Sequence, residues 1–285
     1  MSLLLARWEI RPEDGSPPIR GDLRAPAGPP PRSAVVICHG FKGFKDWGFF
    51  PSLATALARR GHAAVSFDFS RNGVGLSGEF DDLERFAEHT HSRNVDEIRM
   101  VLDAVTGGVL FPRPPGRIGV FGHSRGGGEA VLAAAEDGRV NALVTWAAIA
   151  AVERWGDEDV ATWERGERVY VENTRTGQRM PVDPGYWRDI VANRERLDIV
   201  RAAERLRIPW LIAHGEADET VAATSARVLF DAAGDDAELL LVEGAGHTFG
   251  ATHPYAGATP ELRTVADATL AWFDAHLGAA AEPVL

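Results

Sequence analysis

The chain has 285 residues, of which 45% are hydrophobic and 25% charged, a composition that indicates a globular protein and excludes intrinsic disorder. Its formal net charge of −11 argues against nucleic acids and membranes as partners, because both are bound through basic surfaces. The single cysteine, Cys38, excludes an internal disulfide and a cysteine-rich metal site. The N-terminal segment lacks the basic start and the long apolar run of a secretory signal, so we expect a cytoplasmic location.

The elements predicted along the chain alternate between strands and helices. Two N-terminal strands, Leu3–Ile10 and Ile19–Arg24, flank a turn-rich segment and are expected to pair antiparallel. Short apolar runs then predict strands at Ala34–Cys38, Ala63–Phe67, Arg117–Phe121, Ala142–Trp146, Trp210–His214 and Glu238–Val242. Amphipathic patterns predict helices at Phe49–Arg60, Ser92–Val105, Ser124–Ala135, Val221–Ala232 and Leu262–Leu277. This order predicts an α/β fold with a mostly parallel sheet and helices on both faces.

Residues 150–205 interrupt the alternation, because they contain no run that resembles a buried strand. Within them, Arg168–Val182 predicts a β-hairpin around a central turn. We interpret the segment as a cap inserted over the sheet, which leaves residues 1–149 and 206–285 as one catalytic domain. Its large aromatic side chains are candidates for a substrate pocket, with a small core of the cap as the alternative: Trp155, Trp163, Tyr186 and Trp187.

The sequence Gly122-His123-Ser124-Arg125-Gly126 lies between a predicted strand and a predicted helix. A G-x-S-x-G sequence in that setting forms a tight turn that projects the serine hydroxyl at the edge of the sheet. The N-terminus of the helix that follows favours developing negative charge. Ser124 is therefore the candidate nucleophile; the alternative is a serine that caps the helix in a glycine-rich turn.

A serine nucleophile needs a general base, for which histidine is the usual residue. His247 follows the last predicted strand in a run of small residues that lets a loop fold over the sheet end. His253 lies six residues further on and is the rival. His214 ends a predicted strand, where we expect it to form local hydrogen bonds.

The base needs an orienting carboxylate, and the loop after the strand at Trp210–His214 contains three acidic residues. Asp218 lies between this strand and the next helix, at the carboxyl edge where ligands bind in open α/β sheets. Glu216 and Glu219 are the alternatives, and a solvated acidic turn is the plainer interpretation of each. The chain order serine, aspartate, histidine is the order expected of an α/β-hydrolase.

Acyl transfer also needs donors for the oxyanion of the tetrahedral intermediate. We expect one from the backbone N–H of Arg125, the residue after the candidate nucleophile. The other is expected from Phe41, because Gly40 allows a sharp turn that points the Phe41 N–H at Ser124. The same loop contains Lys42 and Lys45, and a substrate with an acidic group would be attracted there; the plainer alternative is a solvated loop.

These motifs resemble those of α/β-hydrolase-fold serine esterases, in the group of dienelactone-hydrolase and prolyl-oligopeptidase-like enzymes. The matching segments, from oxyanion loop to histidine loop, are HGF at 39–41, GHSRGG at 122–127, HGEADETV at 214–221 and GAGH at 244–247. The resemblance implies a Ser-His-Asp triad, a cap-formed pocket, no cofactor and no metal. Dienelactone hydrolase itself uses a cysteine nucleophile, whereas Cys38 lies inside a predicted strand here.

We therefore expect an enzyme that hydrolyses carboxylic esters with small to medium acyl groups, aromatic ones among them. The alternatives are a peptidase, an amidase or a thioesterase of the same fold, and a ligand-binding receptor without catalysis. The expected partner is a small-molecule ester. The oligomeric state stays open, and a homodimer is one arrangement that fits.

Overall fold

The computed structural model describes residues 2–13, 15–28, 30–75 and 78–278, and a sheet of eight strands forms the frame of this part of the chain. The strands are β1 (Leu3–Ile10), β2 (Ile19–Pro26), β3 (Ser33–Cys38), β4 (Ala63–Asp68), β5 (Arg117–His123), β6 (Val140–Trp146), β7 (Val169–Asn173), β8 (Gln178–Val182), β9 (Trp210–Gly215) and β10 (Ala237–Val242). The helices are α1 (Phe50–Arg59), α2 (Leu83–Ala87), α3 (His91–Thr106), α4 (Arg125–Glu136), α5 (Asp157–Glu164), α6 (Pro184–Ala192), α7 (Ile199–Arg205), α8 (Thr224–Ala233) and α9 (Pro260–Leu277).

The main sheet has the strand order β1-β2-β4-β3-β5-β6-β9-β10. Strands β1, β2 and β4 pair antiparallel, and the pairs from β4 to β10 are parallel. Helices α1 and α9 contact each other, while α3, α4, α7 and α8 form a second series of contacting helices. The predicted α/β fold, a mostly parallel sheet with packed helices and antiparallel N-terminal strands, is confirmed.

The core of the sheet consists of apolar strands covered on both faces, as the continuous apolar runs predict. All six residues of β3 are buried, and so are all six of β9. The indole N–H of the buried Trp146 donates to Thr269 Oγ1 at 2.9 Å, so the largest side chain of β6 is buried without an unpaired donor. The parallel register brings the ends of β3, β5, β9 and β10 to one edge of the sheet, and their loops meet there.

Residues 150–205 fold as α5, the β7–β8 hairpin, α6 and α7. The hairpin predicted over Arg168–Val182 is confirmed, with Asn173 opposite Gln178 at its turn. Helix α7 packs against α4 and α8, which flank the main sheet. Of the helices in the described ranges, none is long and apolar enough to cross a membrane.

Candidate active site

Ser124 lies at the junction of β5 and α4 in a sharply turned backbone, with φ of 57° and ψ of −122°. The sequence pattern predicts that this helix begins at Ser124. Because the conformation of Ser124 is not helical, α4 begins one residue later, at Arg125. The turn also requires a glycine two residues later, because a Cβ on Gly126 would lie 2.2 Å from the carbonyl oxygen of His39. The predicted turn is therefore present, and its side chain reaches the carboxyl edge of the sheet.

The structure brings the side chains of Ser124, His247 and Asp218 into one hydrogen-bonded chain. His247 Nε2 lies 2.9 Å from Ser124 Oγ, and His247 Nδ1 lies 2.8 Å from Asp218 Oδ2. A carboxylate only accepts hydrogen bonds, so Nδ1 carries the proton and Nε2 accepts from the serine hydroxyl. The loops of the aspartate and the histidine are held together by a hydrogen bond from Ala217 N–H to the carbonyl of Ala245, at 3.0 Å.

Asp218 is held as a carboxylate by four hydrogen-bonding groups. Its Oδ1 accepts from the backbone N–H groups of Thr220 and Val221 at 2.8 and 2.9 Å. Its Oδ2 lies 3.2 Å from His214 Nε2 and also contacts His247. Burial alone would raise the pKa of Asp218, but the hydrogen bonds from His214, His247 and the Val221 N–H lower it below its ordinary value. Asp218 is therefore ionised at neutral pH.

The alternatives weighed from the sequence lie elsewhere. His253 accepts a hydrogen bond from Gly48 N–H at 3.1 Å and stands among aromatic rings. His214 is fully buried at the end of β9, where it also lies 2.8 Å from a backbone carbonyl. Glu216 and Glu219 are exposed. Within the described ranges, His247 is the histidine that reaches Ser124, and Asp218 is the carboxylate that reaches His247.

His123 is a further site residue, which the sequence reasoning missed although it stands inside the G-x-S-x-G turn. Its ring lies against that of His247, with centroids 4.9 Å apart, and its Nε2 lies 3.0 Å from the His247 carbonyl oxygen. Burial lowers the pKa of His123 to about 3, and the neighbouring His247 lowers it in the same direction. His123 is therefore neutral and donates its Nε2–H to the loop that holds the histidine.

The loop after β3 lies directly against Ser124. A Cβ on Gly40 would lie 3.0 Å from Ser124 Cβ and 3.5 Å from its Oγ, so the absence of a side chain allows this close approach. Phe41 and Arg125 both line the cavity beside the serine. Among the described residues, neither of their backbone N–H groups has a hydrogen-bond acceptor. Arg125 is the first residue of α4, where the N–H has no partner within the helix.

The cavity over Ser124 has a volume of about 470 Å³. Of the four aromatic residues predicted to form the pocket, Trp155 and Tyr186 line it. Trp163 and Trp187 are absent from the described part of its wall, because they pack in the core of the segment, with ring planes 12° apart and centroids separated by 6.4 Å. Two of the four residues thus line the cavity, and the other two pack within the segment.

A buried polar network lies under the cavity and connects α4 to the segment above the sheet. Arg125 Nε donates to Glu129 Oε1 at 2.8 Å, and the same oxygen lies 2.9 Å from His91 Nδ1. His91 Nε2 lies 2.8 Å from the hydroxyl of Tyr186, which also accepts from the Trp155 indole N–H at 3.1 Å. Two of the cavity-lining aromatic rings are thereby positioned by the helix that begins after Ser124.

The two lysines of the β3 loop differ in their surroundings. Lys42 lines the cavity, whereas Lys45 is paired with Asp22 at 2.9 Å and with Asp46, outside the described cavity wall.

Comparison with known proteins identifies a family. The family described as serine aminopeptidase, S33, matches residues 29–176, just over half of the chain. Over 199 residues the chain is 27% identical to 2,6-dihydropseudooxynicotine hydrolase of Paenarthrobacter nicotinovorans. The aligned region covers 69% of this chain and 47% of that protein. The chain thus spans about half the length of this relative.

Two solved structures show the same fold at low identity. The esterase domain of a Rhodothermus marinus protein has a TM-score of 0.66 and 19% identity, with 96% of this chain and 100% of that chain covered. Dienelactone hydrolase from Anabaena variabilis has a TM-score of 0.59 and 19% identity, with 95% and 98% covered. The expected likeness to α/β-hydrolase esterases is thereby confirmed at the level of the fold.

Proposed function

Since the chain belongs to the serine aminopeptidase S33 family of α/β-hydrolases, we propose that it hydrolyses carboxylic esters with Ser124 as the nucleophile. The observation that carries the proposal is the hydrogen-bonded chain from Ser124 through His247 to Asp218, with distances of 2.9 and 2.8 Å. This is the geometry in which a histidine removes a serine proton and a carboxylate orients the ring. The strained serine conformation adds support, because such strain is characteristic of functional sites.

In the first half of the proposed reaction, Ser124 Oγ attacks the ester carbonyl and His247 Nε2 takes its proton. The carbonyl oxygen becomes an oxyanion, which accepts hydrogen bonds from the N–H groups of Phe41 and Arg125. When the bond to the alcohol oxygen breaks, His247 gives its proton to the departing alcohol. Ionised Asp218 stabilises the positive charge that His247 carries between these two transfers.

In the second half, a water molecule attacks the carbonyl of the acyl-enzyme, and His247 removes a proton from this water. The bond between the acyl carbon and Ser124 Oγ breaks, the serine regains its proton from His247, and the carboxylic acid leaves. The neutral state of His123 supports this cycle, because a second positive charge beside His247 would disfavour its protonation.

An ester is favoured over a peptide with a free N-terminus by the charges around the site. An aminopeptidase holds a cationic amine, and acidic side chains are the groups suited to bind it. The described part of the cavity wall contains four basic side chains and no aspartate or glutamate: Lys42, Arg125, Arg154 and Arg175. We therefore place the peptidase, amidase and thioesterase activities second to ester hydrolysis.

Residues 150–205 act as a cap in this proposal, since Trp155 and Tyr186 from this segment line the cavity opposite the sheet. The cavity of about 470 Å³ suits small to medium acyl groups, and its aromatic lining suits an aromatic acyl group. A cytoplasmic location, a small-molecule partner and the oligomeric state stay predictions.

The experiment is a panel of p-nitrophenyl esters of increasing acyl length, run beside aminoacyl p-nitroanilides, with the parent and with Ser124→Ala. We expect ester turnover to exceed anilide turnover, and Ser124→Ala to reduce kcat by about a thousandfold or more while the protein stays folded by circular dichroism. Ester turnover that survives in Ser124→Ala, or anilides cleaved faster than esters, would contradict the proposal.

A further inference from the structure

The cavity over Ser124 differs in charge from the rest of the protein. The chain as a whole carries a formal charge of −11. The described cavity wall nevertheless carries four cationic side chains, and no carboxylate stands beside them on that wall. A local reversal of sign of this kind attracts ligands of the opposite charge.

One of the four cations is neutralised and three are not. Arg125 is paired with buried Glu129 at 2.8 Å. Lys42 and Arg154 donate to backbone carbonyl oxygens at 2.8 and 2.6 Å, and Arg175 also donates to a backbone carbonyl. None of these three forms an ion pair with a carboxylate of the described chain. Their charges are thus not neutralised by a paired carboxylate, although the charge of Glu172 acts on Lys42 without an ion pair.

Two buried donors on the same wall also lack an acceptor. Asn173 is 1% exposed, and its Oδ1 accepts from the backbone N–H of Arg175 at 3.3 Å, which leaves Nδ2 as its free group. Neither Asn173 Nδ2 nor Nη2 of buried Arg125 has a hydrogen-bond partner within the described ranges. A buried donor without an acceptor is destabilising, so both positions favour a ligand that brings acceptor oxygens.

Three of these donors meet where the β3 loop contacts the turn of the β7–β8 hairpin. Lys42 Nζ donates to the carbonyl of Glu172 on β7, and the guanidinium of Arg175 donates back to the carbonyl of Lys42. Asn173 lies between those two hairpin residues in the chain and lines the same cavity. This end of the cavity thus offers an ammonium, a guanidinium and an amide N–H₂, all of them donors.

We propose that the substrate is an ester that carries a free carboxylate, bound at this end by Lys42, Arg175 and Asn173. The inference rests on the proposed ester hydrolysis and adds the substrate class. A planar carboxylate has two oxygens that match the paired N–H groups of an arginine, while the apolar wall formed by Phe41 and Trp155 contacts the rest of the molecule. The carboxylate belongs to the acyl part or to the alcohol part, and the experiment separates these two cases.

The test compares matched esters with and without the charge. For the acyl part, mono-p-nitrophenyl adipate is paired with p-nitrophenyl heptanoate, in which an ethyl group replaces the carboxylate. For the alcohol part, para-carboxyphenyl butyrate is paired with the neutral para-carbamoylphenyl butyrate. We expect kcat/KM to favour the anionic member of one pair by about tenfold at low ionic strength, and less as salt screens the charges.

Arg175→Gln is the informative variant and Arg179→Gln its matched control. Arg179 lies on the same hairpin but stacks on Tyr170 at 4.8 Å and is absent from the described cavity wall. We expect Arg175→Gln to reduce the ratio of anionic to neutral kcat/KM by about tenfold, and Arg179→Gln to leave that ratio unchanged.

The possible results separate the inference from the function on which it rests. Turnover of the neutral esters with no preference for the anionic member of either pair overturns the inference alone. Equal loss of preference in the two arginine variants overturns it as well, because the effect is then one of overall charge. Failure to cleave any of the four esters overturns the proposed ester hydrolysis and the inference with it.

Discussion

At the scale of single residues, the site contains one residue with a strained backbone, Ser124, and buried groups whose protonation state is determined by their neighbours. A non-glycine residue in the conformation of Ser124 costs about 1–3 kcal/mol. The surrounding structure maintains this conformation, in part through a hydrogen bond from Ser124 N–H to the carbonyl of Trp146 on β6, at 2.9 Å. Asp218 is stabilised as an anion, and His123 is stabilised as a neutral ring.

The neutral state of His123 predicts a pH-dependent stability that a variant removes. Its pKa of about 3 in the folded chain lies below the ordinary value of 6.5, so below that pH the unfolded chain binds a proton that the folded chain does not. The folded state thus loses stability as the pH falls from about 6.5. In His123→Gln this loss is absent. When the pH is lowered from about 7.5 to about 5, the unfolding free energy of the variant relative to that of the parent should therefore rise by about 2 kcal/mol.

Urea unfolding of both proteins at the two pH values measures this difference. A glutamine at this position keeps an N–H that can donate to the His247 carbonyl, so the comparison isolates the titration. A stability difference that stays constant with pH would show that His123 takes up its proton at the same pH in the folded and unfolded chains, and would contradict the prediction.

The sequence predicted the site residues that follow strands. It did not predict those that only tertiary folding places beside the cavity. Ser124, Asp218 and His247 each lie in the loop after a predicted strand, so the parallel topology alone places them together. Arg175 and Asn173 lie in a hairpin turn more than a hundred residues from the β3 loop, and no local pattern connects them to it. Their role depends on where the hairpin packs.

At the scale of elements, the junction of β5 and α4 determines where the serine points. The first turn of α4 passes so close to the end of β3 that there is no space for a side chain on Gly126. The close approach keeps the β3 loop against Ser124, where the Phe41 N–H is available. The junction therefore couples the nucleophile to one of the proposed oxyanion donors.

Gly126→Ala tests this coupling. Its new Cβ would meet backbone atoms, which cannot move aside as a flexible side chain can, so we expect a loss of about 2 kcal/mol or more in unfolding free energy and a large loss of ester turnover. The control is Gly185→Ala in the first turn of α6, where no atom lies within 4 Å of the added Cβ. There the change should stay under about 1 kcal/mol, because alanine suits a helix better than glycine. Equal stability of the two variants, measured by thermal and urea unfolding, would contradict this account of the junction.

Six strands of the main sheet were predictable as short apolar runs, whereas β1 and β2 were predicted from the turn-rich segment between them. The observed bounds differ from the predicted ones by a few residues at most. The short helices of residues 150–205 were not predictable in the same way. Helix α5 buries only Trp163 among its eight residues, so it shows no apolar stripe. Helix α7 has seven residues, about two turns, which is too short for a periodic pattern to be recognised. These elements are stabilised by tertiary packing, α5 against α6 and β7 and α7 against α4 and α8.

At the scale of the whole molecule, the chain has a negative net charge, whereas four basic side chains line the cavity over Ser124. The charge of −11 repels an anionic substrate at long range, but salt at physiological strength screens exposed charges beyond about 8 Å. Within the cavity, Lys42, Arg154 and Arg175 act at shorter range, where screening is weaker. The overall composition predicts a protein without nucleic-acid partners, and it does not reveal the positive charge of the cavity itself.

The central claim, that Ser124 is a nucleophile activated by His247, is tested most directly by locating a fluorophosphonate adduct by mass spectrometry. The account predicts one adduct, on the tryptic peptide Ile118–Arg125, in which Ser124 is the only hydroxyl side chain. Labelling should be unchanged in His253→Ala and slower by about a hundredfold or more in His247→Ala. An adduct on another residue, or equal labelling rates in the parent and in His247→Ala, would contradict the claim.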